Sequence, residues 1–290
     1  MAAVPLLGDG AWRIAPAPAV FTHVVCLAAL SPEGTVAEAH AAMIARYTGA
    51  LLTIDHLLDP AVEYRPSSTP RMNSMRPAAV RLALATLEGE AAATGVARNR
   101  RAVLVESSPA TARAMAAAVR RLGGDVAVMA PHDRGAMAHA LERSLTEATV
   151  DSLAGAVPVL CARGPARPYG RILVATDFSA GSRRAFRLAA RLSRLFGATV
   201  TVVHAVPGRD AVDGALAALR RFIPAELASR SPALSIEIGE PCAAVLAKRD
   251  AIDADLVVLS TRGRDSLGDA LIGTHAQRVI RHAPCPVLVC

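Results

Sequence analysis

Apolar positions along the chain fall into short runs, separated by longer stretches in which they recur every three or four residues. In the later part of the chain the short runs lie near residues 171–176, 199–206, 234–238, 255–260 and 286–290. Between them, residues 180–196, 210–229, 241–252 and 272–283 carry helical spacing and are rich in Ala, Arg and Leu, which favour helix. Strands alternating with helices imply a parallel sheet covered on both faces, with ligands at the carboxyl ends of the strands. The predicted fold class is α/β.

The pattern is written twice. Shifted by 148 positions, AAMIARYTGALLTIDHLL (41–58) falls on AARLSRLFGATVTVVHAV (189–206) with seven of eighteen residues identical, including Gly49/Gly197, Thr53/Thr201 and His56/His204. The same shift places VVCLAALS (24–31) on ILVATDFS (172–179). Further along the shift falls to 130, where DVAVMAPHDRG (125–135) lies on DLVVLSTRGRD (255–265), and the endings AVPVLC and PCPVLVC match. The first copy therefore carries a longer middle insertion. It includes RPSSTPRMNSMRP (65–77), whose Pro and Ser content reads as a loop. The segment RGPARPYG (163–170), with two Pro and two Gly, separates the copies. Two tandem domains are expected, 1–163 and 171–290, joined by a linker at 164–170, each with a five-stranded parallel sheet.

Apolar residues make up 52% of the chain but aromatic residues only 3%, so the cores must be built from Ala, Val and Leu. The net charge is +7, with arginines spread over several helices as in RRAFRLAARLSRLF rather than gathered in one aromatic-laced block. That distribution describes solvated helix faces and argues against nucleic acid as a partner. Five cysteines without CxxC or Cys/His spacing fit a reducing compartment and argue against a structural zinc site. The N-terminus lacks a basic leader, and no apolar run approaches the ~18 residues of a membrane span. The expectation is a cytoplasmic protein with no membrane partner.

The chemistry is concentrated in LSTRGRDSLGDALIGTHAQRVIRHAPCPVLV (259–289). A strand is followed by Gly263, then nine residues, then Gly273-Thr274 at the start of a helix. A glycine after a strand lets the backbone approach a ligand, and Gly-Thr at a helix start offers free N–H groups, a hydroxyl and the positive end of the helix dipole. Together these describe either an anion cradle or the plain turns of an α/β fold. The spacing matches neither the Walker loop nor the dinucleotide fingerprint.

RILVATDFSAGSRRAFRLAARLSRLFGATVTVVHAV (171–206), GEP (239–241), ADLVVLSTRGRDSLGDALIGT (254–274) and PCPVLVC together resemble the universal stress protein family over essentially the whole second copy. The resemblance implies Rossmann-like domains. Nucleotide-binding members carry G-x2-G-x9-G-(S/T), and this chain reads Ser260-x2-Gly263-x9-Gly273-Thr274, with Ser260 in place of the first glycine. By position, the resemblance implies ATP or a related adenine nucleotide. Asp177, preceded by Ala175 and Thr176, would lie near ribose and a Mg²⁺-bearing phosphate. The Ala205 backbone would read adenine. The Thr274 hydroxyl, followed by His275, would contact phosphate. Ala276 stands where many binders have a second hydroxyl. Beside these readings, Asp177 also suits an N-cap for the helix at 180–196, and His204 suits a packed strand-end histidine. Arg262 and Arg264 flank Gly263 and suit either phosphate or solvent.

The first copy has Ala29 at the Asp177 position, Asp133 at Gly263 and Arg143-Ser144 at Gly273-Thr274. One competent site is expected, in the C-terminal half, with the N-terminal copy as a structural partner. The resemblance implies pairing of the two domains through their last strands and leaves a further homodimer open. No general base stands beside a nucleophile, so a binding and stress-signalling role with little or no catalysis is expected. The alternatives are a nucleotide-free scaffold for a protein partner and a slow ATPase relying on Asp177 with Mg²⁺.

Overall fold

The computed structural model describes residues 20–59, 72–131, 144–260 and 273–290. The N-terminal half runs β1 (His23–Leu27), α1 (Pro32–Thr48), β2 (Leu51–Leu58), α2 (Met72–Ala93), β3 (Arg101–Ser107), α3 (Ala112–Leu122), β4 (Val126–Met129), α4 (Leu145–Leu153) and β5 (Val159–Cys161). The C-terminal half runs β6 (Arg171–Ala175), α5 (Ala180–Phe196), β7 (Thr199–Val206), α6 (Val212–Phe222), α7 (Ala225–Ala228), β8 (Ala233–Ile238), α8 (Pro241–Ala251), β9 (Leu256–Leu259), α9 (Thr274–His282) and β10 (Val287–Val289). The strands form one sheet in the order β3-β2-β1-β4-β5-β10-β9-β6-β7-β8. All neighbours pair parallel except β5 and β10, which meet antiparallel with Leu160 opposite Leu288.

Local chemistry explains the element ends. Helices α1 and α5 start with Ser31 and Ser179, whose hydroxyls accept from the N–H three residues on. Both stop at a left-handed glycine, Gly49 at φ 69° and Gly197 at φ 70°, a conformation that costs residues with a Cβ. The helix expected over 210–229 breaks into α6 and α7. Ile223 precedes Pro224, whose ring disfavours helical backbone at the preceding residue, and Ile223 sits at ψ 123°. Residues 72–77, read as loop, are helical instead, being the start of α2.

Alternation along the strands divides the core between the two faces of the sheet. Val24, Cys26, Leu52 and Ile54 pack on one face with Val174, Phe186 and Val202. Val25, Leu27, Leu173, Val257 and Val287 pack on the other. All five cysteines are buried, and none is in a disulfide. At the start of β6 the Asp255 carboxylate accepts from the Gly170 and Arg171 N–H groups, at 2.9 and 3.0 Å for the shorter contacts. Asp125 does the same for Thr22 and His23 before β1, at 2.7 and 3.1 Å. No helix among the described residues is long and apolar enough to cross a membrane.

Contacts beyond the sheet join the two halves and fix α9. Arg281 donates to the Glu147 carboxylate through Nε at 3.2 Å and Nη2 at 2.9 Å, with Glu147 only 2% exposed. His40 of α1 places Nδ1 3.2 Å from the Tyr169 hydroxyl and Nε2 3.3 Å from the Gly164 carbonyl. Burial lowers its pKa below the usual 6.5, outweighing the backbone carbonyls of Gly164 and Arg163. A depressed histidine contributes stability that is present above its usual pKa and lost as pH falls below it.

Glu38 acts in the opposite sense. It is 2% exposed, and its carboxyl neighbour is another acid, Glu90. Burial first, then the neighbouring Glu90, push its carboxyl up from 4.5 to about 8. Asp55 is raised to about 6, by burial first and then by Glu106. Both acids are favoured protonated in the fold, so their contribution is complete below the usual carboxylate range and is lost as pH rises through the raised values. The thermal midpoint is expected to fall between pH 5 and pH 9, and Glu38→Gln to flatten that fall. Calorimetry across this range checks it; an unchanged slope in the variant would contradict the assignment.

Candidate functional site

Strand order reverses at β6, which has β9 on one side and β7 on the other, with Val174 opposite Val258 and Ala175 opposite Val203. A crevice opens at the carboxyl ends of strands at such a reversal. The chain brings Thr176 and Asp177 after β6, Ala205 near the end of β7 and Ser260 after β9 to this edge, with Gly273, Thr274 and His275 opening the helix that follows β9. Gly263, with Arg262 and Arg264, lies outside the described residues, as do Asp133 and Arg143.

The turn after β6 is built on a hydrogen-bond network. The Thr176 N–H donates to the Val203 carbonyl at 3.0 Å, the last backbone bond between β6 and β7. The Thr176 hydroxyl accepts from the Phe178 N–H at 3.1 Å. Asp177 Oδ1 accepts from the Ser179 N–H at 3.0 Å and the Ser182 hydroxyl at 2.9 Å. The cap of α5 is therefore Ser179, and Asp177 braces the turn one step earlier. This corrects the N-cap reading of Asp177: the cap must lie next to the first helical residue, and here that residue is Ala180. Phe178 takes φ 64°, an uncommon conformation for a bulky residue, and its ring lies 4.3 Å from that of His204.

His204 is a structural clasp. Its Nδ1 lies 2.8 Å from the Thr176 carbonyl, and His56 makes the matching contact to Ala28 at 2.9 Å. The clasp matters for Ala205. In parallel pairing, a residue directs both backbone groups to the same neighbour, and the parity that sends the Val203 carbonyl to β6 sends those of Ala205 the same way. There β6 has already turned aside and His204 covers the Thr176 carbonyl, so the Ala205 edge faces the crevice. Beside it lies a cleft of about 700 Å³ lined by Phe178, Arg183, His204, Ala205, Arg221 and Phe222, among others. The Arg183 guanidinium stacks 4.4 Å from the Phe222 ring centre.

At the start of α9 no side chain among the described residues caps the first-turn N–H groups: Gly273 occupies the cap position and Thr274 follows inside the helix. Gly273 has φ −58°, so no left-handed conformation requires glycine here. Ala276 packs against the core, which accounts for a small apolar residue at its position. The first copy meets the same demand differently. Ser144, the counterpart of Thr274, caps α4 itself by accepting from the Glu147 N–H at 3.2 Å. The first copy has also closed its turn. A Cβ on Gly34, the counterpart of Ser182, would lie 1.8 Å from the Ala29 carbonyl oxygen, so the space used by the Ser182–Asp177 contact is filled by backbone.

Among the described residues, no group of three or more His, Cys, Asp and Glu side chains converges on a metal position. Sequence reasoning missed Ser182 and Gly34, whose roles show only once the turn and helix are packed together. Gly34→Ser is expected to cost roughly 2 kcal/mol or more through overpacking, and Ser182→Gly on the order of 1 kcal/mol. Denaturant midpoints at constant slope measure both, and equal losses would contradict the asymmetry.

The model of the universal stress protein family matches residues 168–290. A universal stress protein of Thermus aquaticus, described by its position in the 3′ region of a sulfhydrylase gene, is 34% identical over 137 residues, covering 42% of this chain and 98% of that protein. Among solved structures, a universal stress protein from Archaeoglobus fulgidus aligns over 93% of this chain and 96% of its own, with TM-score 0.70 and 19% identity. A functionally unknown protein of Pseudomonas aeruginosa aligns over 93% and 92%, with TM-score 0.65 and 20% identity.

Proposed function

Because the chain belongs to the universal stress protein family, we propose that its C-terminal half binds an adenine nucleotide, ATP or a close relative, in a stress-signalling role with little or no catalysis. The observation that carries this reading is the start of α9, where no side chain among the described residues caps the first turn, set against the Ser144-capped start of α4. An anion at α9 would accept from the first-turn N–H groups and from the Thr274 hydroxyl, and would lie at the positive end of the helix dipole. The Ala205 backbone edge would hydrogen-bond the base, and the apolar cleft beside it suits a flat aromatic ring.

Asp177 is the one carboxylate at this edge among the sequence-selected residues, and one of its oxygens already accepts two hydrogen bonds from its own turn. Magnesium would therefore be held mainly by the phosphates, with Asp177 as its protein neighbour, where it would neutralise phosphate charge.

The N-terminal half serves in this reading as a second domain of the same fold, spent on structure. The antiparallel β5–β10 pairing and the Arg281–Glu147 contact support it, because each half covers a sheet edge that would otherwise invite association. Isothermal titration with Mg-ATP is expected to give about one nucleotide per chain for the natural sequence and none for Gly273→Arg, which copies the counterpart residue of the first half. Absence of binding to the natural sequence would overturn the reading, and undiminished binding to the variant would move the site elsewhere.

A further inference from the structure

Glu240 lies where two helices begin. At the N-cap of α8 its Oε2 accepts from the Ala243 N–H at 2.9 Å. Its Oε1 lies 2.8 Å from Nδ1 of His275 and accepts from Nη1 of Arg278 at 2.9 Å. His275 and Arg278, three residues apart, share one face of α9. A carboxylate that α8 needs for its own cap thus also tethers the first turn of α9. The carboxyl lies below its usual range: partial desolvation raises it, but the N–H groups of Ala243 and Cys242, with His275 and Arg278, outweigh that.

His275 directly follows Thr274, and its side chain is 53% exposed. With Nδ1 engaged by Glu240, the remaining ring nitrogen, Nε2, has no partner among the described residues. The titratable groups facing the ring are Glu240 from α8 and Arg278 from α9, with the buried Cys242 beneath Glu240.

We infer that Glu240 is a positioning residue for the phosphate end of this site: fixed to the start of α8, it holds His275 by Nδ1 and leaves Nε2 as an additional donor to a bound phosphate. The inference rests on the reading of this edge as a nucleotide site. With Nδ1 donating to the Glu240 carboxylate, Nε2 donates only from the doubly protonated ring, so uptake of that proton and binding of a phosphate-bearing ligand strengthen each other. A ligand without phosphate gains nothing from the proton.

The test compares ATP and adenosine binding at pH 6 and pH 8 in the full-length natural protein, His275→Gln and Glu240→Gln, with ¹⁵N spectra of His275 in the natural protein. Gln at position 240 keeps an oxygen for the Ala243 N–H but removes the charge, and titration of the ATP phosphate itself is common to all three proteins. From pH 8 to pH 6 the natural protein is expected to gain about tenfold in ATP affinity beyond the change in His275→Gln. Glu240→Gln should lose most of that gain, adenosine should show none, and ATP should perturb the Nε2 resonance. Superimposable pH profiles for the natural protein and His275→Gln would overturn the inference while leaving the nucleotide site standing. A Glu240→Gln profile identical to the natural one would remove the positioning role of Glu240. Failure of the natural protein to bind ATP would overturn the site and the inference together.

Discussion

The N–H groups that open a helix must find acceptors, and the two halves of this chain meet that demand in opposite ways. In the first half Ser144 folds back on its own helix and satisfies the start of α4 internally. In the second half α9 begins at Gly273 with no side-chain cap among the described residues. Where the helix start is open, the neighbouring turn is held apart by Asp177 and Ser182, and the strand beside it presents a backbone edge. Where the helix start is closed, Gly34 lets the Ala29 carbonyl occupy the same space.

The open end needs a rigid frame, and contacts remote from it supply one. The Asp255 clasp ties the start of β6 to the segment leading into β9, so the two strands that flank the crevice keep their register. At its far end α9 is anchored by Arg281 to the buried Glu147 of the other half. At its near end it is anchored by His275 and Arg278 to Glu240. A nine-residue helix fixed at both ends would lose little freedom on binding a ligand, so preorganisation would favour binding. The likeness to the Archaeoglobus fulgidus structure spans nearly the whole chain, so the frame as a whole has the fold found in that protein.

The elements of the second half were legible because apolar periodicity is strong there and a second copy repeats it. Predicted strands at 171–176 and 199–206 lie within a residue of β6 and β7. The expected helix at 210–229 was broken by Pro224, a local effect that periodicity averages over. The helical start of α2 was hidden because Pro and Ser composition outweighed spacing. At the site, the strand-end role of His204 was legible from its repeat partner His56. The Asp255 and Glu240 clasps were not, since they join segments 85 and 35 residues apart in sequence and leave no periodic trace. Glu38 carries no signal either: only packing shows that an acid in α1 lies against Glu90 and away from water.

The most direct measurement is a backbone amide ¹H–¹⁵N titration of the full chain with ATP. A nucleotide seated at the open helix shifts the amides of Thr274, His275, Ala276 and Ala205, saturates at one per chain, and leaves those of Leu145, Thr146 and Glu147 unchanged. Shifts centred on the start of α4, or spread equally over both halves, would contradict the assignment.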